Sequence, residues 1–160
     1  MSTEEKKKEA AMPKDYQLHD RLGFRLSRLS RMMQARLETS LAEHDLTRLK
    51  WCVLSGVGIE GRTAPSELAA HIGITRPAIS KLIKTMIAEG LIERNLVEAD
   101  GRSRQISVTQ LGKDKLNSCW HMVESNQEHF LEKLTAYERT MLNELLNTLI
   151  KDEFDIFDDI

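Results

Sequence analysis

This chain is poor in cysteine, proline and aromatic residues, and it has no long apolar run. Each shortage excludes something. Of its 160 residues, only Cys52 and Cys119 are cysteines. Two are too few for a disulfide scaffold and fit a reducing cytoplasmic setting. No stretch approaches the roughly 20 apolar residues that a spanning helix needs, so no membrane partner is expected. The opening MSTEEKKKEAAMPKD lacks the apolar centre of a signal peptide, and residues 1–14 read as a disordered lead-in. There is no nucleophile–base constellation, no Gly-rich phosphate loop and no HxxxH or HExxH spacing. The chain is therefore expected not to be an enzyme and to carry neither cofactor nor metal.

Charge of one sign is also missing overall, since the net charge is −2, but the signs are segregated. Residues 13–104 hold 15 Lys and Arg against 11 Asp and Glu, whereas residues 105–160 hold 5 against 11. The acidic excess gathers at the end of the chain, in the tail 152–160. The middle is left free to meet an anionic partner.

What is present is helical periodicity, interrupted once. Residues 16–42 read as one long helix opened by Asp15, with Leu18, Leu22, Leu26, Leu29, Met33 and Leu37 on one face. Arg21, Arg25, Arg28, Arg31 and Arg36 lie beside and opposite that face. A second helix runs from Thr47 to about Gly58, burying Leu49, Val53, Leu54 and Val57. Pro65 suits the first turn of a short helix that Gly73 closes. Thr75 caps the next, whose inner face is Ile79, Leu82, Ile83, Met86 and Ile87. Two β-rich runs, Leu91–Val97 and Gln105–Thr109, flank EADGRSR, whose Asp-Gly pair is a turn signal. Residues 110–133 are helical again. Thr135 and Glu138 then form a capping box for a helix expected to bury Leu142, Leu145, Leu146, Leu149 and Ile150.

The central pair of short helices forms a helix-turn-helix, whose second helix can enter the major groove of DNA. The groove is about 12 Å wide and takes one helix with its side chains. Such a helix must be apolar inward and short or cationic outward. Residues 75–89 meet this demand: Arg76, Pro77, Ser80, Lys81, Lys84 and Thr85 point out, and no carboxylate occurs before Glu89. Arg102 and Arg104 in the hairpin tip suit the narrow minor groove, with Asp100 placed to orient a guanidinium.

The strings SELA, ITRPAISKLI, EGLIER, DGRSR and the trailing V-T-x-L-G resemble the MarR family of bacterial regulators. The likeness is dense over about 50 residues. It implies a fold that is mainly α with a small β-hairpin, a winged helix-turn-helix flanked by dimerisation helices. The winged unit is then 47–109, and 15–46 with 110–151 form the dimerisation region. It also implies a homodimer on a palindromic double-stranded DNA operator, acting as a nucleoid-associated repressor. A small-molecule effector would sit between the dimer helices and the winged domain. Contacts to base edges fall to Arg76, Ser80 and Lys81; contacts to phosphate fall to Thr75, Lys84 and Arg104. Pro77 lies on the same face, and Arg102 enters the minor groove.

The remaining polar residues have two readings each. The first-helix arginines either hold an anionic effector, such as an aromatic acid or an acyl thioester of coenzyme A, or pair with the acidic tail 152–160. Pairing is preferred, and the two can coexist. Arg25, Arg28 and Trp51 are the candidate effector residues. Relatives that sense peroxide carry a cysteine near the start of the first helix. This chain has none there, so Cys52 and Cys119 read as small hydrophobes. His121 and His129, near Glu124 and Glu128, read as surface or dimer-seam residues rather than a zinc site.

Overall fold

The computed structural model describes residues 15–96 and 104–153. The chain divides into two units, Met1–Met32 and Met33–Ile160, with the boundary inside the first helix. Among the described residues, no helix is long and apolar enough to cross a membrane.

In the first unit the expected single helix from 16 is interrupted. Leu18–Asp20 is a 3₁₀ turn, and Arg21 is extended at φ −76° and ψ 134°. Helix α1, Leu22–Ala42, begins only after it. Asp15 lies in the turn region ahead of both helical segments and caps neither. Local ring contacts hold the bend: the Arg21 guanidinium lies 4.9 Å over the Tyr16 ring, and His19 meets Phe24 edge-on at 4.7 Å.

The second unit contains α2 (Arg48–Gly58), α3 (Pro65–Ile72), α4 (Arg76–Ala88), β1 (Ile92–Leu96), β2 (Arg104–Val108), α5 (Gln110–Leu131) and α6 (Ala136–Ile150). The caps expected at Thr75 and Thr135 are present, and Thr47 and Thr109 act as caps as well. The hydroxyls of Thr47, Thr75, Thr109 and Thr135 each accept a first-turn amide, which satisfies donors that a helix start leaves unpaired. Gly73 ends α3 at φ 72°, and the Ile74 amide reaches back to the Ala69 carbonyl. That reversal needs the left-handed region open to glycine.

The core is centred on Leu41, Leu54, Leu68, Ile79, Ile83, Met86, Ile92 and Ile106. Residues of α1, α2, α3, α4 and the hairpin therefore share one apolar centre, and burying it supplies the main stabilisation. The strands pair antiparallel, with Ile92 opposite Val108 and Leu96 opposite Arg104. The Ile106 amide also donates to the Thr63 carbonyl at 3.1 Å, tying the hairpin to the segment before α3.

Two expectations about packing are corrected. Ile87 of α4 is 37% exposed, so the inner face of that helix is Ile79, Ile83 and Met86, with Leu82 partly buried against the core. Helix α6 has no buried residue; Leu145 is 54% and Ile150 66% exposed. The helix is fastened at its start, where the Arg139 guanidinium makes two bonds to Glu128. Among the described residues, nothing buries its apolar stripe.

Candidate nucleic-acid interface

Helix α4 turns Ile79, Ile83 and Met86 into the core and leaves Arg76, Pro77, Ser80, Lys81, Lys84 and Thr85 exposed. At about 100° per residue, Pro77, Lys81, Lys84 and Ala88 form the stripe opposite Ile79. No acidic side chain interrupts it. Glu89 at the C-cap is held 2.7 Å from Lys50 of α2. Thr75, half-buried, spends its hydroxyl on the Ala78 amide. The positive dipole end of α4 lies at exposed Arg76, a setting that favours an anion.

The hairpin carries a polar ladder on one face: Asn95 donates to Ser107 at 2.7 Å, and Ser107 donates to Glu93 at 3.1 Å. Arg104 stands in β2 opposite Leu96. Asp100 and Arg102 lie outside the described residues.

Sequence reasoning missed the fastenings around this helix. Lys50 bonds Glu89 across 39 positions of the chain, and no local pattern announces such a pair. Glu60 sits at the end of α2, where Oε1 meets His71 Nε2 at 2.9 Å and Oε2 accepts from Arg62 at 3.2 Å. Burial pushes the Glu60 carboxyl up, but the Arg62 hydrogen bond and the His71 charge outweigh it and hold the group below its ordinary value.

Two grooves bear on the expected effector residues. In the first unit, Arg25 and Arg28 are brought together with His19, Phe24 and Met32 along a cleft of about 290 Å³. In the second unit, Gly58, Ile59, Lys113, Leu116, Asn117 and Trp120 line a cleft of about 280 Å³ between α2 and α5. Trp51 packs beside that cleft, its ring 6.4 Å from Trp120. The Trp51 Nε1 donor is buried with no hydrogen-bond partner, which is uncommon for a buried indole.

Cys119 is fully buried. Cys52 is half-buried; burial raises its thiol above the ordinary value, and Arg48, 3.9 Å from the sulfur, offsets this only in part. His129 Nδ1 lies 3.9 Å from Glu132. Among the described residues, no group of three or more His, Cys, Asp or Glu is placed to hold a metal ion.

Comparison with known proteins agrees with this geometry. Residues 44–103 match the MarR family model. A mutant MarR from E. coli, complexed with operator DNA, superposes with TM-score 0.76 at 21% identity, over 84% of this chain and 99% of that one. CouR from Rhodococcus jostii, bound to p-coumaroyl-CoA, gives 0.75 at 22%, over 86% and 97%. A MarR family protein of Mycobacterium tuberculosis in complex with salicylic acid gives 0.66 at 22%, over 81% and 96%. The fold is thus the winged helix of these regulators, with six helices and one two-stranded hairpin. The motifs, the architecture and the match of residues 44–103 to the MarR family model agree.

Proposed function

We propose that this chain is a sequence-specific DNA-binding transcription regulator that works as a homodimeric repressor in the cytoplasm. The observation that carries this reading is the exposed, acid-free face of α4, with Pro77, Lys81 and Lys84 in line and Ile79, Ile83 and Met86 holding the opposite side in the core. Arg76, Ser80 and Lys81 read base edges, Thr75, Lys84 and Arg104 grip phosphate, and Arg102 enters the minor groove, with Asp100 orienting it. The exposed apolar stripe of α6 supports a dimer built from residues 15–46 and 110–151. Two half-sites would then lie about one helical turn apart, roughly 34–36 Å.

The effector is an anionic aromatic compound or acyl thioester that lowers operator affinity by binding the DNA-incompetent state more tightly. Arg25 and Arg28 supply cations in the first-unit cleft, and Trp51 offers an unpaired donor and an aromatic wall in the second. The p-coumaroyl-CoA and salicylic acid bound by two structural relatives belong to this chemical class.

Fluorescence anisotropy on duplex DNA from upstream of the protein's own gene tests the reading, at two salt concentrations. Affinity should fall steeply with salt. Lys84→Ala should weaken binding about tenfold and reduce the salt slope by about one. Absent or salt-insensitive binding would refute the regulator reading.

A further inference from the structure

The motif V-T-x-L-G has no part in the DNA-facing surface, yet its two marked residues converge on one point behind it. Helix α4 ends in a left-handed turn at Gly90, φ 71°, where the Gly90 and Leu91 amides return to the Ile87 and Met86 carbonyls. The carbonyls that come next, those of Gly90 and Leu91, are taken by Thr109. Its hydroxyl donates to Gly90 O at 2.6 Å, with Leu91 O at 3.1 Å, and its amide donates to Leu91 O at 3.2 Å. The same hydroxyl accepts from the Gly112 amide at 3.1 Å as the cap of α5.

Gly112 makes the approach possible. A Cβ there would collide with the Leu91 carbonyl oxygen, lie 2.6 Å from Val108 Cγ1, and press on Leu54 at 3.1 Å. One short side chain thus joins the end of α4 to the start of α5, with no layer of flexible side chains between them. From α2, Lys50 holds Glu89, one residue before Gly90.

We propose that Thr109 is a positioning residue for DNA recognition: its hydroxyl clamps the C-terminal end of α4 to the N-terminus of α5 and so fixes the angle at which α4 meets the groove. This rests on the DNA-binding reading above. It makes a specific demand, because sequence is read through base-edge contacts made by α4, whereas phosphate contacts carry no sequence information. Loss of the clamp therefore costs specificity before it costs general DNA affinity.

Three variants separate clamp from cap. Thr109→Ser keeps the donor and the cap, Thr109→Asp keeps the cap but has no donor at neutral pH, and Thr109→Val loses both. Each is titrated by anisotropy against the upstream duplex and a random-sequence duplex of equal length, with thermal melting alongside. The expected result is an upstream-site affinity about tenfold lower for Asp and Val, little change on random DNA, and wild-type behaviour for Ser. If Val does not fold, the Ser–Asp contrast decides. Wild-type specificity in Asp, or an equal loss in Ser, overturns the proposal. Amide exchange at position 109 reads the joint without DNA, so a wild-type chain that binds no DNA does not decide its fate. Faster exchange in Asp than in Ser is expected, and equal exchange sinks the clamp.

Discussion

Helices α4 and α6 are of similar length and apolar content, yet they meet opposite fates. In α4, Ile79, Ile83 and Met86 vanish into a core shared with α2, α3 and the hairpin. In α6, the comparable residues Leu142, Leu145 and Leu149 stay exposed. The contrast teaches that the central region closes its own core, whereas α6 carries an apolar stripe that the described residues leave exposed. A contiguous exposed stripe of this kind marks an interaction surface more often than ordinary surface does.

The largest expected effect tests the closed half of that comparison. Ile83 is fully buried, so Ile83→Ala leaves a cavity among the neighbouring side chains and should cost about 2–5 kcal/mol. Urea denaturation at several protein concentrations measures it, and the loss should not change with concentration. A cost under about 1 kcal/mol would mean that the centre is not the self-sufficient core described here.

The open half is broken by Leu145→Glu. The residue is half-exposed in the single chain, so a carboxylate there should scarcely disturb the protomer's own fold. In a dimer it would place charge in an apolar seam. Light scattering should show the mass halving, and affinity for a two-site operator should fall about 100-fold as the second contact is lost. An unchanged mass would make α6 plain surface and remove the ground for calling it an interface.

How far the sequence revealed all this follows the same division. Helix caps at Thr75 and Thr135, the left-handed glycines and the inner face of α4 were legible because each depends on residues within one or two turns. The candidate DNA face was legible for the same reason, since periodicity sets what points outward. Ile87 was misplaced because its position at the edge of the stripe is decided by neighbouring elements, which a helical projection does not contain. The break at Arg21 escaped because apolar spacing continues through it, and only the ring contacts of Tyr16 and Phe24 reveal the bend. The α6 stripe was legible as apolar and was assigned to a dimerisation region; amphipathicity states that a face needs cover, not which molecule provides it. The pairs Lys50–Glu89 and Thr109–Gly90 join residues 39 and 19 positions apart, and only the fold brings them together.

The smallest effect sharpens the comparison inside the central region, at the polar cluster tying the end of α2 to α3. The Glu60 carboxyl is held below the ordinary carboxylate value because Arg62 and His71 outweigh the cost of its partial burial. Its folded value is depressed, so its stabilising share is complete above the unfolded value, about 4.5, and is lost as pH falls through the lowered one. Exposed pairs of this kind contribute little, and salt screens them. Glu60→Gln should therefore lower the melting temperature slightly near pH 7, less in high salt, and the gap from wild type should close in acid below the depressed value. A gap that persisted there would assign the effect to packing rather than charge. A neutral-pH loss as large as that of Ile83→Ala would overturn the ranking, because the centre would then rest on its surface fastenings as much as on its buried side chains.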